Sequence, residues 1–233
     1  MRSLLRDWLA HVSWLRRLLT PLYVAVSRLF SPASGDYWEQ RYARGDTSGT
    51  GSVGRLAAFK AQVLNSFVAE NNVKSVVEFG CGDGDQLDLC DFPDYTGVDV
   101  SETILTTCRE RFTEDSSKQF HHLSKAEAFA GPYDLALSLD VLYHLIEDEV
   151  FEEYMQRLFA AASRYVIIYS SNSADSGGKT APHVRHRNFT NWIKENATEW
   201  QLARKIENPY PWDPADPDPT STADFYLFSR CHG

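Results

Sequence analysis

Val76-Val77-Glu78-Phe79-Gly80-Cys81-Gly82-Asp83-Gly84 decides how this chain is read. The apolar run over 73–79 predicts a strand buried on both faces, and three glycines at alternate positions predict a sharp turn out of it. Glycine there leaves no Cβ between the main chain and a ligand. A strand, such a turn and then a helix make a nucleotide-type site at the carboxyl edge of an open α/β sheet. The dinucleotide fingerprint G-x-G-x-x-G fails, because the position of its third glycine is Asp85. The phosphate loop G-x-x-x-x-G-K-[ST] is absent as well.

Outward from the turn, strands and helices alternate. On the N-terminal side, 31–35 reads as a linker, and a Gly/Ser-rich stretch over 45–54 leads into a helix carrying Leu56, Phe59, Val63, Leu64, Phe67 and Val68. On the C-terminal side a short helix is expected over 86–89 and a strand over 95–100. Ser101 then caps a helix through Ile104, Leu105, Cys108 and Phe112. A weak strand signal lies at 120–123 and a clear one at 135–139. The helix over 150–162 follows an acidic turn, Glu147, Asp148 and Glu149, which suits its dipole. A fifth strand at 165–169, a polar loop at 170–188, a helix at 189–195 and strands at 200–206 and 223–229 complete the pattern. Such alternation predicts a doubly wound α/β sheet with an antiparallel strand inserted at the end.

Glu78, Gly80, Gly82 and Gly84, in the order E-x-G-x-G-x-G, resemble the first motif of class I S-adenosylmethionine-dependent methyltransferases. Tyr95-Thr96-Gly97-Val98-Asp99-Val100-Ser101 is similar to that family's second strand, and Asp134 to Leu145 to its fourth strand and following loop. Tyr37-Trp38-Glu39-Gln40-Arg41-Tyr42 resembles the aromatic and basic element that often precedes the first helix. The resemblance spans 36–233. It implies a mostly parallel seven-stranded sheet of the Rossmann-like methyltransferase fold, with S-adenosyl-L-methionine as cofactor and S-adenosyl-L-homocysteine as product. It implies cofactor contacts from Glu78, Gly80, Cys81, Gly82, Gly84, Asp99, Val100 and Leu139, with Tyr37 and Arg41 closing over the site, against the alternative of an aromatic-rich helix packed on the core. A sulfonium cation without phosphates suits a turn rich in acids, Glu78, Asp83, Asp85 and Asp99.

The chain has 233 residues and a net charge of -9. One domain is expected, and nucleic acid is not the expected partner, since that needs a basic footprint. The cysteines Cys81, Cys90, Cys108 and Cys231 have no metal-ligand spacing and read as free thiols of a cytoplasmic protein; no metal is called for. Residues 1–30 break the acidic trend. Arg2, Arg6, Arg16, Arg17 and Arg28 stand against Asp7, a local charge of +4, which leaves about -13 for the rest. Leu4, Leu5, Trp8, Leu9, Val12, Leu15, Leu19, Leu22 and Tyr23 recur at helical spacing, so 1–30 reads as an amphipathic extension and 31–233 as the domain. Its apolar run is too short and too interrupted, by Arg16-Arg17 and Pro21, for a secretory signal or a membrane span. Two readings stay open: peripheral contact with the inner face of a membrane, or packing on the domain or a second copy, in a monomer or homodimer.

Three groups are expected to carry chemistry. Asp99 ends a strand where a carboxylate accepts from both ribose hydroxyls. Asp140 and His144 follow the next strand of the site; His144 and His186 are candidate general bases for a hydroxyl, against the alternative that His144 merely holds loop backbone. His183, Arg185 and Arg187 put several cations into one loop and read as a clamp for an anionic acceptor, against the alternative of a solvated charge run. The acceptor expected is a hydroxyl on an anionic small molecule, a lipid-linked compound or a glycan. A small soluble metabolite is the enzymatic rival, and a catalytically silent cofactor-binding or scaffold subunit the rival of another class. The [DNS]-P-P-[YFW] signature of nucleic-acid amino methylation is absent; Ser138-Leu139-Asp140-Val141 stands there.

Overall fold

The computed structural model describes residues 33–125, 131–174 and 181–231, so the expected amphipathic extension over 1–30 lies outside the described residues. Helices α1 (Ser34–Ala43) and α2 (Gly54–Glu70) precede strand β1 (Val76–Phe79). There follow β2 (Tyr95–Asp99), α3 (Glu102–Arg111), β3 (Lys118–His122), β4 (Tyr133–Leu139), α4 (Asp148–Ala161) and β5 (Ala162–Ser170). Helix α5 (Phe189–Asn196) and strands β6 (Trp200–Ile206) and β7 (Asp224–Arg230) close the chain.

The seven strands lie in the order β3-β2-β1-β4-β5-β7-β6. Pairs among the first five are parallel, and β7 runs antiparallel to both β5 and β6. The order reverses between β1 and β4, and ligands of open α/β sheets gather at the carboxyl ends of the strands at that point. Side-chain alternation builds two cores. Val77, Phe79, Ala136 and Val166 pack with α4 and α5 on one face. Val76, Leu135, Leu137 and Ile167 pack with α2 and α3 on the other. Coverage of both faces explains why the central strands read as apolar runs.

Local chemistry sets the ends of the elements. Ser101 Oγ accepts from the Ile104 amide at 3.2 Å, a cap worth about 1 kcal/mol. Asp148 and Glu149 occupy the first turn of α4, where the helix dipole favours them. Several boundaries differ from expectation; the fifth strand, for one, begins at Ala162, where the preceding helix was expected to end. The strand read over 73–79 starts at Val76, because the Val73 amide donates to the Val68 carbonyl and closes α2. The expected helix over 86–89 is a single 3-10 turn, Leu87–Leu89. The third strand begins at Lys118, two residues before its signal, paired in register with Tyr95. The linker read over 31–35 gives way to α1 at Ser34, whose amide is held by Glu147 Oε1 at 2.9 Å. No helix among the described residues is long and apolar enough to cross a membrane.

Candidate functional site

The glycine turn is fastened to β2. Gly80 and Cys81 both donate to the Val98 carbonyl, at 2.7 and 3.1 Å. Gly80 has φ +79, and a Cβ there would lie 2.5 Å from Val141 Cγ2, so both conformation and space require glycine. The Gly82 amide donates to Asp99 Oδ2 at 3.1 Å, and the Ser101 amide to Asp99 Oδ1 at 3.0 Å. Burial pushes the Asp99 carboxyl above its ordinary value, and these backbone donors oppose the shift. Each oxygen keeps acceptor capacity toward the cleft. Beneath the turn, the Tyr95 hydroxyl donates to Glu78 Oε2 at 2.6 Å. Burial drives the Glu78 carboxyl up to about 7, against the pull of Tyr95 and of the Lys60 charge.

At the end of β4, Asp140 adopts the left-handed region, φ +60. Its Oδ2 meets Lys60 Nζ at 2.8 Å and its Oδ1 accepts from the Tyr143 hydroxyl at 2.7 Å. The single turn Leu142–His144 then presents His144. Its Nδ1 lies 3.2 Å from the His183 carbonyl. A carbonyl only accepts, so Nδ1 bears the hydrogen and Nε2 carries the lone pair. Trp38 meets the ring edge-on at 4.9 Å and the His183 ring stacks at 5.6 Å. Desolvation in this enclosure lowers the imidazole to about 4, although the His183 carbonyl favours the cation.

The outer wall comes from α1 and the Gly/Ser-rich stretch. Trp38 and Tyr42 share one face of α1, with ring centres 5.6 Å apart. The Ser48 amide donates to Asp83 Oδ2 at 2.7 Å, and the Asp83 amide returns a bond to Ser48 Oγ at 3.1 Å. The hydroxyls of Tyr42 and Ser48 pair at 3.1 Å. The segment before β1 is thereby laced over the glycine turn.

A cavity of about 480 Å³ runs through these elements, within the range of small-molecule sites. Of the residues singled out in the sequence, Glu78, Gly80, Cys81, Gly82, Asp99, Val100, Leu139, Asp140 and His144 line it. Tyr37, Arg41, Gly84, His183, Arg185, His186 and Arg187 do not. Tyr37 stacks on His183 at 4.6 Å, behind the wall, and Arg41 donates from Nε to the Thr47 carbonyl at 2.8 Å. Gly84 has φ +79 and backs onto Phe112. His186 Nδ1 lies 2.5 Å from Ser171 Oγ. Arg185 bonds the Ile146 carbonyl and Asp148, at 2.8 and 2.9 Å. Arg187 reaches the carbonyls of Leu145, Ile146 and Glu147 as well as Asp148. Both guanidinium groups fasten the 181–188 segment to the start of α4, which is not the geometry of an acceptor clamp. Among the described residues no cluster of three or more His, Cys, Asp or Glu side chains is arranged to hold a metal ion.

The family described as "Methyltransferase domain" matches residues 53–207, well over half of the sequence. The chain belongs to the methyltransferase domain family. Its fold is that of the class I S-adenosylmethionine-dependent enzymes. Magnesium protoporphyrin IX methyltransferase from Synechocystis, solved with bound S-adenosylhomocysteine, is 17% identical; the match covers 84% of this chain and 97% of that one, with a TM-score of 0.59. N-methyltransferase NodS from Bradyrhizobium japonicum is 15% identical over 76% of this chain and 96% of that one, with a TM-score of 0.58. An S-adenosylmethionine-dependent methyltransferase from Clostridium acetobutylicum is 12% identical over 84% and 98%, with a TM-score of 0.55. At these identities the likeness is one of fold. No match was found among curated proteins.

Three residues of this methyltransferase site escaped the sequence reading. Lys60 sits in an amphipathic helix, where a lysine reads as solvent-facing. Tyr143 was passed over beside His144. His122, at the end of β3, lines the cavity with Nε2 bonded to the Val100 carbonyl at 2.8 Å and Nδ1 to Ser124 Oγ at 2.7 Å. Its position at a strand's carboxyl end was the available signal.

Proposed function

We propose that this methyltransferase transfers a methyl group from S-adenosyl-L-methionine to a hydroxyl of a small-molecule or glycan acceptor, with His144 receiving the hydroxyl proton. The observation that carries the reading is the fixed tautomer of His144, which leaves its Nε2 lone pair at a ring that lines the cavity beside Asp140. The donor set fits the cofactor. Asp99, anchored by two amides, has lone pairs left for vicinal ribose hydroxyls, and Val100 and Leu139 supply apolar wall on either side. Asp99, with Glu78 when ionised, gives the cleft the negative character that a sulfonium and an ammonium prefer.

When bound, S-adenosylmethionine supplies an activated methyl group on a positively charged sulfur. The residues of the chain align and shield. Trp38 and Tyr42 cover the cleft and exclude water, and the glycine turn admits a ligand against the main chain. The acceptor oxygen gains the methyl group and loses its proton, which His144 takes at Nε2. The lowered imidazole is neutral throughout the physiological range, so its Nε2 lone pair is free, while the desolvation that frees it also weakens it as a base. The anionic character first expected of the acceptor loses its support, since Arg185 and Arg187 are engaged with α4 away from the cavity.

The test is release of S-adenosylhomocysteine from the purified chain over a panel of hydroxyl, amine and carboxylate acceptors, after calorimetry has established cofactor binding. Turnover confined to hydroxyl acceptors is the expected result. Turnover on amines alone overturns the chemistry proposed, and tight binding without turnover on any acceptor favours the silent subunit.

A further inference from the structure

Lys60 has no part in the methyl transfer just described, yet it is the most deeply placed charge beside the cleft. Its side chain is 1% exposed, against 17% for that of Asp140, its partner at 2.8 Å. The ammonium also lies 5.5 Å from the centre of the Tyr169 ring. Its field reaches Glu78, whose carboxyl it draws down against the effect of burial. Buried ion pairs are a poor source of stability, because desolvation of both ions offsets their attraction. Stability alone therefore does not account for a sealed ammonium directly behind the part of the wall made of Glu78 and Asp140. Charge balance does. Asp140 stands in the cleft as an acceptor for Tyr143, and Lys60 cancels its charge from behind.

The cofactor of the proposed function and its product differ by one methyl group and by one positive charge on sulfur. They share the adenosine, the ammonium and the carboxylate. Any charge fixed in the wall acts on the two ligands unequally, while loss of packing acts on both alike. We propose that Lys60 sets the preference of this cleft between the sulfonium cofactor and the neutral thioether product. This rests on the cofactor reading above and deepens it. With Lys60 paired to Asp140, the cleft holds the spent product without a net penalty from that pair. Without Lys60, the uncompensated carboxylate favours the sulfonium form.

The experiment is calorimetric titration of S-adenosylmethionine and of S-adenosylhomocysteine into the full chain at about pH 8, above the wild-type Glu78 value, for the wild type and four variants, in buffers of different ionisation enthalpy because loss of Lys60 raises Glu78. Lys60→Met is expected to shift the ratio of the two dissociation constants toward the sulfonium on the order of tenfold, and Asp140→Asn to shift it the opposite way by a similar factor. Lys60→Met/Asp140→Asn, which removes both charges, is expected to return the ratio to within about threefold of the wild type. Lys60→Gln still donates to Asp140 without charge, and it is expected to follow Lys60→Met, so the comparison survives if the methionine variant does not fold. An unchanged ratio in both Lys60 variants overturns the proposal, as does equal weakening of both ligands that the double variant fails to correct. If neither ligand binds the wild type, the cofactor reading itself falls and this inference with it.

Discussion

The Tyr95 hydroxyl and the Glu78 carboxyl, 2.6 Å apart, join the first residue of β2 to the third of β1 directly under the glycine turn. The pair is wholly buried, and burial raises Glu78 from 4.5 to about 7. A raised carboxyl contributes stability that is present below its unfolded value of 4.5 and is lost as pH rises through about 7. A cationic ligand above it favours the ionised form. Binding of S-adenosylmethionine at about pH 6 is therefore expected to release on the order of one proton, read as a dependence of the calorimetric enthalpy on buffer ionisation. Glu78→Gln should abolish that dependence; its persistence in the variant would assign the proton elsewhere.

The His144 ring makes the opposite prediction. Its imidazole is lowered from 6.5 to about 4 by desolvation, so its contribution to stability is present above 6.5 and is lost as pH falls through about 4. Proton NMR of the imidazole resonances should show that the His144 signal does not titrate between about pH 8 and 5. His144→Phe should remove that resonance and lower kcat by about 10²–10⁴ while S-adenosylhomocysteine still binds. An unchanged kcat would leave the residue only its hold on the His183 carbonyl.

Asp99 joins the turn to the start of α3 through the amides of Gly82 and Ser101. Asp99→Ala removes both anchors together with the acceptor for the ribose hydroxyls. At roughly 1.5–3 kcal/mol for a hydrogen bond to a charged group, cofactor affinity should fall about 100-fold or more. Near-normal calorimetric binding would refute the assignment.

Arg187, with a side chain 12% exposed, binds three carbonyls at the entrance of α4 and Asp148. Arg187→Ala should destabilise the chain by about 1–3 kcal/mol in urea titrations, since three partly buried carbonyls lose their donor. A clamp for an anionic acceptor would behave differently, raising KM with stability unchanged.

What periodicity and spacing express is local, and the local part of the fold was legible. The glycine turn, Asp99 at a strand end, the Ser101 cap and the alternation of strands with helices follow from neighbouring residues. What spacing cannot express is a partner far along the chain. Lys60 finds Asp140 after 80 residues, and Ser34 finds Glu147 after 113. In an isolated helix Lys60 has every reason to face water; only the fold shows a carboxylate waiting on the inward side. The partners of Arg185 and Arg187 were out of reach for the same reason. A cationic loop in an acidic protein suggests an anionic ligand until Asp148 and the α4 carbonyls are seen beside it.

The clasp of Ser48 on Asp83 and Tyr42 has a kinetic consequence. The family match begins at residue 53, yet Trp38, Tyr42, Ser48, Gly51 and Ser52 roof the cleft from the N-terminal side. A chain that began at residue 53 would keep the sheet, the turn and Asp99, but as an open trough. Residues 33–52 are therefore expected to slow the release of a bound molecule, as a lid closed over the turn would.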